Sequence, residues 1–281
     1  MKLNFINEKY NFLAPIIKNK LIRLGNKMDG GYVVDNEIIS KLDTFISFGL
    51  GNGSNTDNIP WSFENDLIKT NSNIDINIYD HSVSLNDYFY IIFKYFRRFL
   101  TFRATFKEFY KRVKYLKNYI NFLRLKNVKF FKEKVVGKLS KKNKEADIKK
   151  IFTRLSDKNR VIGLKSDIEG SEYDIIGDLL EYSKTIKIMI IEFHWTDKKN
   201  ILFVDLVKKI KKKYHIIHIH GNNYRSVNSD GLPIVLEITF LNKDEFDKDD
   251  KLKYNYNFPI NNLDYPCDPS NKDISFSFKE F

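Results

Sequence analysis

The sequence predicts an α/β fold in which a mostly parallel sheet carries helices on both faces. Apolar runs of strand length alternate with amphipathic segments of helical spacing along most of the 281 residues. The first central strand, 44–48, leads into glycines at positions 49, 51 and 53. Alternate glycines let a ligand approach the backbone, so this stretch predicts a loop for a nucleotide-like cofactor, with an ordinary tight turn as the alternative.

Composition narrows the class of protein. A hydrophobic content of 42% suffices for a substantial core, and one cysteine, Cys267, excludes an internal disulfide framework and a cysteine-based zinc cluster. We expect a cytoplasmic protein, because residues 1–18 lack the pattern of a secretory signal and no uncharged run is long enough to span a bilayer.

The net charge of +12 is concentrated in one segment. Residues 94–134 contain fourteen Lys or Arg and two Glu, which equals the excess of the whole chain. The basicity therefore belongs to one element and not to the fold.

Residues 1–20 are expected to form a surface helix or arm. The Asp-Gly-Gly turn at 29–31 predicts either a hairpin or a ligand-covering loop with polar contacts from Arg23, Lys27 and Asp29. The elements after strand 44–48 are predicted as helix 61–70, strand 74–79, strand 128–136, helix 146–155, strand 161–167, helix 172–182, strand 186–191, helix 201–214, strand 215–219, strand 233–241 and a tail that wraps the surface.

Residues 86–127 interrupt this alternation. Aromatic and basic residues recur there at spacings of three or four, which predicts an inserted helical segment within a single domain spanning 1–281. We favour an aromatic face that packs on the sheet or closes a homo-oligomer, with Lys and Arg facing water. The alternatives are a lid over an anionic substrate, a peripheral membrane-surface helix and a nucleic-acid patch.

Polar side chains follow most of the predicted strands at the point where each strand ends. They are Gly49 to Gly53, Asp80 with His81, Asp167 with Glu169, Glu192 with His194, and His220 with Asn222 and Asn223. Ligands bind at the carboxyl ends of parallel strands, so the fold itself would bring these groups together. Each has a simpler alternative, since Asp167 and Glu169 could merely cap the following helix.

The stretch Lys165-Ser166-Asp167-Ile168-Glu169-Gly170-Ser171-Glu172-Tyr173 resembles the K-x-D-I-E-G-x-E-x signature of FkbM-like methyltransferases. Further pieces at 23–33, 47–51, 61–64, 192–194 and 220–223 resemble the same family in the same order. The resemblance implies a Rossmann-like class I methyltransferase sheet of about seven strands, with 233–241 as a reversed last strand. It also implies S-adenosylmethionine as the cofactor.

The resemblance also implies roles for single residues. The expected cofactor-binding residues are Asp29, Gly30, Gly49, Leu50, Gly51, Asn52, Gly53, Glu64, Asp80 and His81, with Asp80 on the ribose hydroxyls and His81 beside the adenine. The expected catalytic residues are Asp167, His194 and His220. Asp167, Glu192 and His220 could hold Mg, Mn or Fe, and without metal His194 or His220 would be the general base.

The resulting hypothesis is an O-methyltransferase acting on a sugar hydroxyl, in surface-polysaccharide (capsule) or nucleotide-sugar biosynthesis. Its partner would be a small sugar or nucleotide-sugar acceptor. A nucleic-acid methyltransferase using 94–134 and a non-catalytic binding module are the alternatives, and the carboxylates at 80, 167 and 192 argue against the second. A dehydrogenase is disfavoured because the loop is G-x-G-x-G and not G-x-G-x-x-G.

Overall fold

The computed structural model describes residues 4–50, 59–140, 144–155, 160–246 and 252–280; Gly51, Asn52 and Gly53 of the predicted loop lie outside them. The strands are β1 (Asn4–Phe5), β2 (Leu21–Gly25), β3 (Gly31–Asp35), β4 (Thr44–Phe48), β5 (Asp75–Tyr79), β6 (Val128–Phe131), β7 (Lys134–Val135), β8 (Glu145–Ala146), β9 (Ile162–Ser166), β10 (Ile186–Phe193), β11 (Tyr214–Gly221), β12 (Leu236–Asn242), β13 (Asn257–Phe258) and β14 (Phe276–Ser277). The helices are α1 (Asn36–Lys41), α2 (Ser62–Thr70), α3 (Leu85–Leu100), α4 (Phe106–Leu123), α5 (Ile148–Thr153), α6 (Glu172–Leu179) and α7 (Asn200–Ile210).

The central sheet has seven strands in the order β11-β12-β10-β9-β4-β5-β6. The neighbours from β10 to β6 pair in parallel, whereas β12 runs antiparallel to both β10 and β11. The predicted fold class is thus confirmed, including the reversed strand and the inserted helical segment.

The register of this sheet positions the site. Phe48 lies opposite both Tyr79 and Ser166, and Ser166 lies opposite Ile191. The residues that follow these positions, including Asp167, therefore emerge at one edge of the sheet. This is the edge where parallel sheets bind ligands.

Two apolar clusters enclose the sheet, one on each face. The first contains buried side chains of α5, α6 and α7, and the second contains those of α1, α2 and α4. The central strands β4, β5 and β9 are buried on both faces, with only Asp75 at the start of β5 partly exposed.

The N-terminal hairpin covers part of the second face. Strands β2 and β3 pair antiparallel from Leu21 opposite Asp35 to Gly25 opposite Gly31, so the hairpin interpretation of this region is confirmed. Gly25 and Gly30 have φ values of 87° and 80°, a conformation that favours glycine in this tight connection.

The predicted strand 128–136 is wrong in its second half. Strand β6 ends at Phe131, opposite the last residue of β5, Tyr79. Beyond that point the sheet offers no partner, and Lys134 and Val135 pair instead with Glu145 and Ala146. Glu133 lies in the resulting break.

The C-terminal tail does more than wrap the surface. Strand β14 pairs with β1 and β13, and Phe258, Phe276 and Phe278 are buried in the first apolar cluster. The tail therefore completes the core beside β11 and β12.

Helices α3 and α4 form a hairpin. In α4, Tyr115, Tyr119 and Phe122 pack their rings around Trp61, whereas Tyr88 is the one buried residue of α3. The favoured packing of the aromatic face holds for the C-terminal half of α4 and for Tyr88, with Ile92 half-buried against the same cluster. Much of the remaining face is exposed. Among the described residues, no helix combines the length and apolarity needed to cross a membrane.

Candidate active site

A first cavity of about 330 Å³ lies at the carboxyl ends of β4, β5 and β9. Gly49 (φ 79°) forms part of its wall, and a Cβ atom added there would lie 1.8 Å from the carbonyl oxygen of Asp167. The position therefore requires glycine, and its backbone is exposed to whatever occupies the cavity. The remaining lining residues are Tyr79, Asp80, His81, Ser82, Glu133, Lys134, Val135, Asp167, Ile168, Glu169 and Ser171.

Asp80 shapes the first cavity through its backbone contacts. Its Oδ2 accepts from the amide of Leu50 at 2.7 Å, and its Oδ1 accepts from the amide and hydroxyl of Ser82, each at 2.7 Å. The carboxylate thereby connects the loop after β4 to the loop after β5. Of the predicted cofactor residues, Gly49, Asp80 and His81 all line this cavity, and Leu50 is held beside it through its amide.

A second cavity, of about 460 Å³, adjoins the first. Asp167 and Glu169 line both cavities. The other lining residues of the second cavity are Asp29, Glu192, His194, Asn222, Tyr224, Arg225 and Val235. Asp29, a predicted cofactor residue, therefore lies in the second cavity, together with the predicted catalytic residues Asp167 and His194.

His194 is oriented by a buried carboxylate. Glu172 Oε1 accepts from the His194 amide at 2.7 Å and faces its Nδ1 at 3.2 Å. This arrangement leaves Nε2 directed toward Glu169 Oε2 at 3.5 Å and Asp167 Oδ1 at 3.9 Å. Burial lowers the pKa of His194, but the hydrogen bond and charge of Glu172, with the charges of Asp167 and Glu169, leave that pKa raised overall.

The acidic loop after β9 has an unusual backbone. Glu169 has a φ of 53°, in the left-handed region that non-glycine residues rarely adopt, and Gly170 follows at 97°. The Gly170 amide donates to Glu172 Oε2 at 2.8 Å, and the Gly170 carbonyl accepts from Lys199 Nζ at 2.8 Å. These bonds hold Glu169 at the mouth shared by the two cavities.

Carboxylates crowd the second cavity. Burial raises the pKa of Glu192 well above its usual range, and the charges of Asp167, Glu237 and Asp29 raise it further, although Asn222 donates to Glu192 Oε1 at 2.8 Å. Burial, followed by the charges of Asp167 and Glu237, raises the pKa of Asp29 to about 7. The Tyr32 hydroxyl donates to Asp167 Oδ2 at 3.1 Å. Negative charge is thus the dominant electrostatic property of this cavity.

A divalent cation fits this arrangement. Ligand atoms of Asp167, Glu192 and His194 lie within 4.8 Å of one another, and the latter two side chains are buried. Two carboxylates and one imidazole are suitable donors for Mg, Mn or Fe. A bound cation would also neutralise the like charges that raise the pKa of Glu192.

His220, a predicted catalytic and metal residue, does not line either cavity. Its Nδ1 lies 3.1 Å from Glu237 Oε2 and its Nε2 lies 3.1 Å from Asp273 Oδ1. Both ring nitrogens therefore already have carboxylate partners, one of them on the C-terminal tail. The expectation that His220 joins Asp167 and Glu192 is wrong in this arrangement, and His194 lies there instead.

Glu64 and Gly30, two predicted cofactor residues, also lie outside both cavities. Glu64 is fully buried, accepts from Ser47 Oγ at 2.6 Å and forms an ion pair with Lys165 Nζ at 3.2 Å. Through these two contacts Glu64 connects α2 to strands β4 and β9 of the sheet.

Sequence reasoning missed Glu172, Glu133 and Tyr32 as residues of the site. Glu172 belongs to the recognised acidic motif and could have been found from it. Glu133 was hidden by the prediction of one continuous strand, and it lines the first cavity, where Arg154 lowers its pKa. Tyr32 lies within the resembled piece 23–33, but its contact with Asp167 spans 135 residues of chain and has no local signal.

No protein-family model matches the chain, and no curated protein matches it. Among solved structures, a dimethyladenosine transferase from Plasmodium falciparum is similar at a TM-score of 0.37 and 9% identity, over 74% of this chain and 61% of that one. A precorrin-6y C5,15-methyltransferase from Geobacter metallireducens is similar at a TM-score of 0.34 and 11% identity, over 74% of this chain and 86% of that one. A putative methyltransferase from Thermobifida fusca is similar at a TM-score of 0.37 and 8% identity, over 74% of this chain and 77% of that one. These values are too low to transfer an activity, and the functional argument rests on the site itself.

Proposed function

We propose that this protein is an S-adenosylmethionine-dependent O-methyltransferase that acts on a sugar hydroxyl. The observation that carries the proposal is that two adjoining cavities, at the ligand-binding edge of a class I methyltransferase sheet, share Asp167 and Glu169. A methyl transfer needs such a pair of sites, one for the donor and one for the acceptor, meeting at a single point.

The first cavity is the proposed cofactor site. When bound, S-adenosylmethionine supplies a methyl carbon that its sulfonium activates for in-line displacement by the acceptor oxygen. Gly49 would let the methionine part approach the backbone, and Asp80 and His81 would lie near the ribose and adenine, as the family resemblance implies.

The second cavity is the proposed acceptor site, and without a cation His194 is the proposed general base. Glu172 holds Nδ1, so Nε2 is the nitrogen available to accept the proton of the acceptor hydroxyl. The raised pKa of His194 strengthens it as a base, at the cost of requiring a higher pH for its neutral form.

A divalent cation is part of the proposal. Asp167, Glu192 and His194 would hold it. Because Glu172 holds Nδ1, a cation bound there would take His194 Nε2 as a ligand, and it would activate the acceptor in place of the imidazole by lowering the pKa of a coordinated hydroxyl.

The acceptor class follows from the lining of the second cavity. Asn222 and Tyr224 are polar side chains suited to hydroxyl groups, and the Arg225 guanidinium lies 5.4 Å from the centre of the Trp195 ring. A sugar that carries a phosphate, such as a nucleotide-sugar, would combine hydroxyls with an anionic group for Arg225. The FkbM-like subfamily and a role in surface-polysaccharide biosynthesis rest on the sequence motif alone.

Calorimetry with S-adenosylhomocysteine tests the cofactor, with NADH as the competing ligand. We expect binding of S-adenosylhomocysteine and none of NADH, and the reverse result would refute the methyltransferase assignment. Methyl transfer to a panel of nucleotide-sugars then tests the acceptor. We expect EDTA to reduce turnover, and full activity after chelation would remove the cation from the proposal.

A further inference from the structure

The hairpin of α3 and α4 exposes an apolar surface that no described residue of the chain covers. On α3, five exposed apolar side chains form one stripe: Leu85, Phe89, Phe93, Phe96 and Leu100. At 3.6 residues per turn their spacings place them within about 80° of the helix circumference. On α4, Phe106, Tyr110 and Val113 form a second exposed stripe. Such continuous stripes on an exposed element mark an interaction surface.

The tip of the hairpin extends this surface. Phe102, in the turn between the two helices, is 97% exposed and has a φ of 55°. A bulky side chain in the left-handed region is unfavourable, and here it is combined with nearly complete exposure of an aromatic ring. The tip therefore presents Phe102 outward, between Leu100 and Phe106, which are 58% and 60% exposed.

The hairpin extends away from the core. Buried residues of α4 lie in its C-terminal half, from Tyr115 to Phe122, and Tyr88 is the only buried residue of α3. With a length of about 24 Å, α3 reaches well beyond its anchor at Tyr88. The distal half is held by ring contacts within the hairpin, among them Phe96 with Phe109 and Phe99 with Phe106.

The charge on the hairpin is mostly positive. Residues 94–117 contain nine Lys or Arg and one Glu. That Glu, Glu108, closes the capping box with Thr105 at the start of α4. Asp87, in the first turn of α3, is the other acidic residue of the two helices, so basic residues outnumber acidic ones around the apolar stripes.

We propose that the α3–α4 hairpin docks on an anionic lipid bilayer, with Phe102 and the apolar stripes inserted at the interface. Aromatic side chains favour the interfacial layer, and Lys and Arg around them are attracted to anionic headgroups. The proposal does not depend on the reaction at the sheet edge.

Charge complementarity selects this partner over the other occupants of such a surface. A second copy of the chain would place like charges against each other around the stripes, whereas an anionic surface neutralises them. A nucleic acid would satisfy the basic residues, but Leu85, Leu100 and Val113 would gain nothing from phosphates. A bilayer satisfies both the charged and the apolar components.

Vesicle flotation with the full chain tests the proposal. The vesicles contain phosphatidylcholine alone or with about a third of phosphatidylserine. We expect binding to the anionic vesicles only. Each basic residue near such a surface contributes about fivefold to the binding constant. The variant Lys94→Glu/Arg103→Glu/Lys107→Glu should therefore bind more than about a hundredfold more weakly.

An apolar variant and two control variants separate the apolar contribution to vesicle binding from the electrostatic one. Phe93→Ser/Phe96→Ser/Phe102→Ser should lose at least about tenfold in binding, because the exposed rings no longer enter the interface. The controls Lys184→Glu/Lys212→Glu/Lys272→Glu and Phe5→Ser/Ile201→Ser/Leu202→Ser change exposed residues elsewhere and should bind like wild type.

Four results would overturn the proposal. The first is equal binding of the protein to both vesicle types, and the second is vesicle binding that neither hairpin variant changes. The third is a dimer in sedimentation that the Phe variant dissociates, with no binding to vesicles. The fourth is displacement of the protein from vesicles by RNA at equimolar sites.

Discussion

Glu172→Gln removes the buried carboxylate that orients His194, and it should weaken the proposed cation site without affecting the cofactor site. Glu172 is fully buried and accepts three N–H groups, the amide and Nδ1 of His194 and the amide of Gly170. A glutamine side chain has one oxygen, and its amide nitrogen cannot accept a hydrogen bond. If that oxygen faces His194, the Gly170 amide loses its partner and meets another donor.

The size of the expected effect follows from the number of hydrogen bonds that the substitution removes. One buried donor left unsatisfied costs about 1–3 kcal/mol of folding free energy. Loss of the partner that orients a histidine ligand typically lowers metal affinity by about 10–100-fold. Because Glu172 also raises the pKa of His194, the variant should bind metal down to a lower pH than wild type does.

The assay is Mn²⁺ binding followed by electron paramagnetic resonance, with S-adenosylhomocysteine calorimetry and urea unfolding on the same samples. Asp174→Asn is the matched control, because it also removes a carboxylate from the first turn of α6 but at an exposed position. A Mn²⁺ dissociation constant within about twofold of wild type, with unfolding free energy reduced, would show that Glu172 has a structural role only.

Three further perturbations test other parts of the structure. Asp167→Ala should abolish turnover while S-adenosylhomocysteine still binds, and normal turnover would remove Asp167 from the catalytic centre. Lys165→Met leaves Glu64 buried without its ion-pair partner and should cost about 3–5 kcal/mol in urea unfolding, most of which Lys165→Met/Glu64→Leu should restore. Asp29 has a folded pKa of about 7, above its unfolded value, so the folded state holds the extra proton between these two pKa values and stability falls as pH rises through this range. Asp29→Asn should therefore be more stable than wild type at pH 8 but not at pH 5, and parallel unfolding curves at both pH values would contradict the raised pKa.

Much of the fold could be predicted because strand and helix signals are local. The segments 44–48 and 162–166 have the length and the apolar residues expected of central strands, and both are buried on both faces. Their parallel alternation with helices predicts that polar residues after each strand meet at one edge, and Gly49, Asp80, Asp167 and Glu192 do line the two adjoining cavities there.

The errors share a physical cause. His220 ends a sheet strand and satisfies the same pattern as His194, but Asp273 of the tail occupies its Nε2. Glu64 belongs to a motif of the resembled family, yet its partner Lys165 comes from a strand 101 positions away in the chain. Neither contact leaves a trace in local sequence.

The sequence by itself determined the mostly parallel sheet, the polar residues at the ends of its strands and the acidic motif, since periodicity and chain direction decide these. Only the tertiary structure decided which charged groups pair, because a carboxylate is satisfied by whichever donor the packed chain brings within about 3 Å. That selection leaves Glu172 to orient His194, removes His220 from the site and joins two cavities at Asp167 and Glu169.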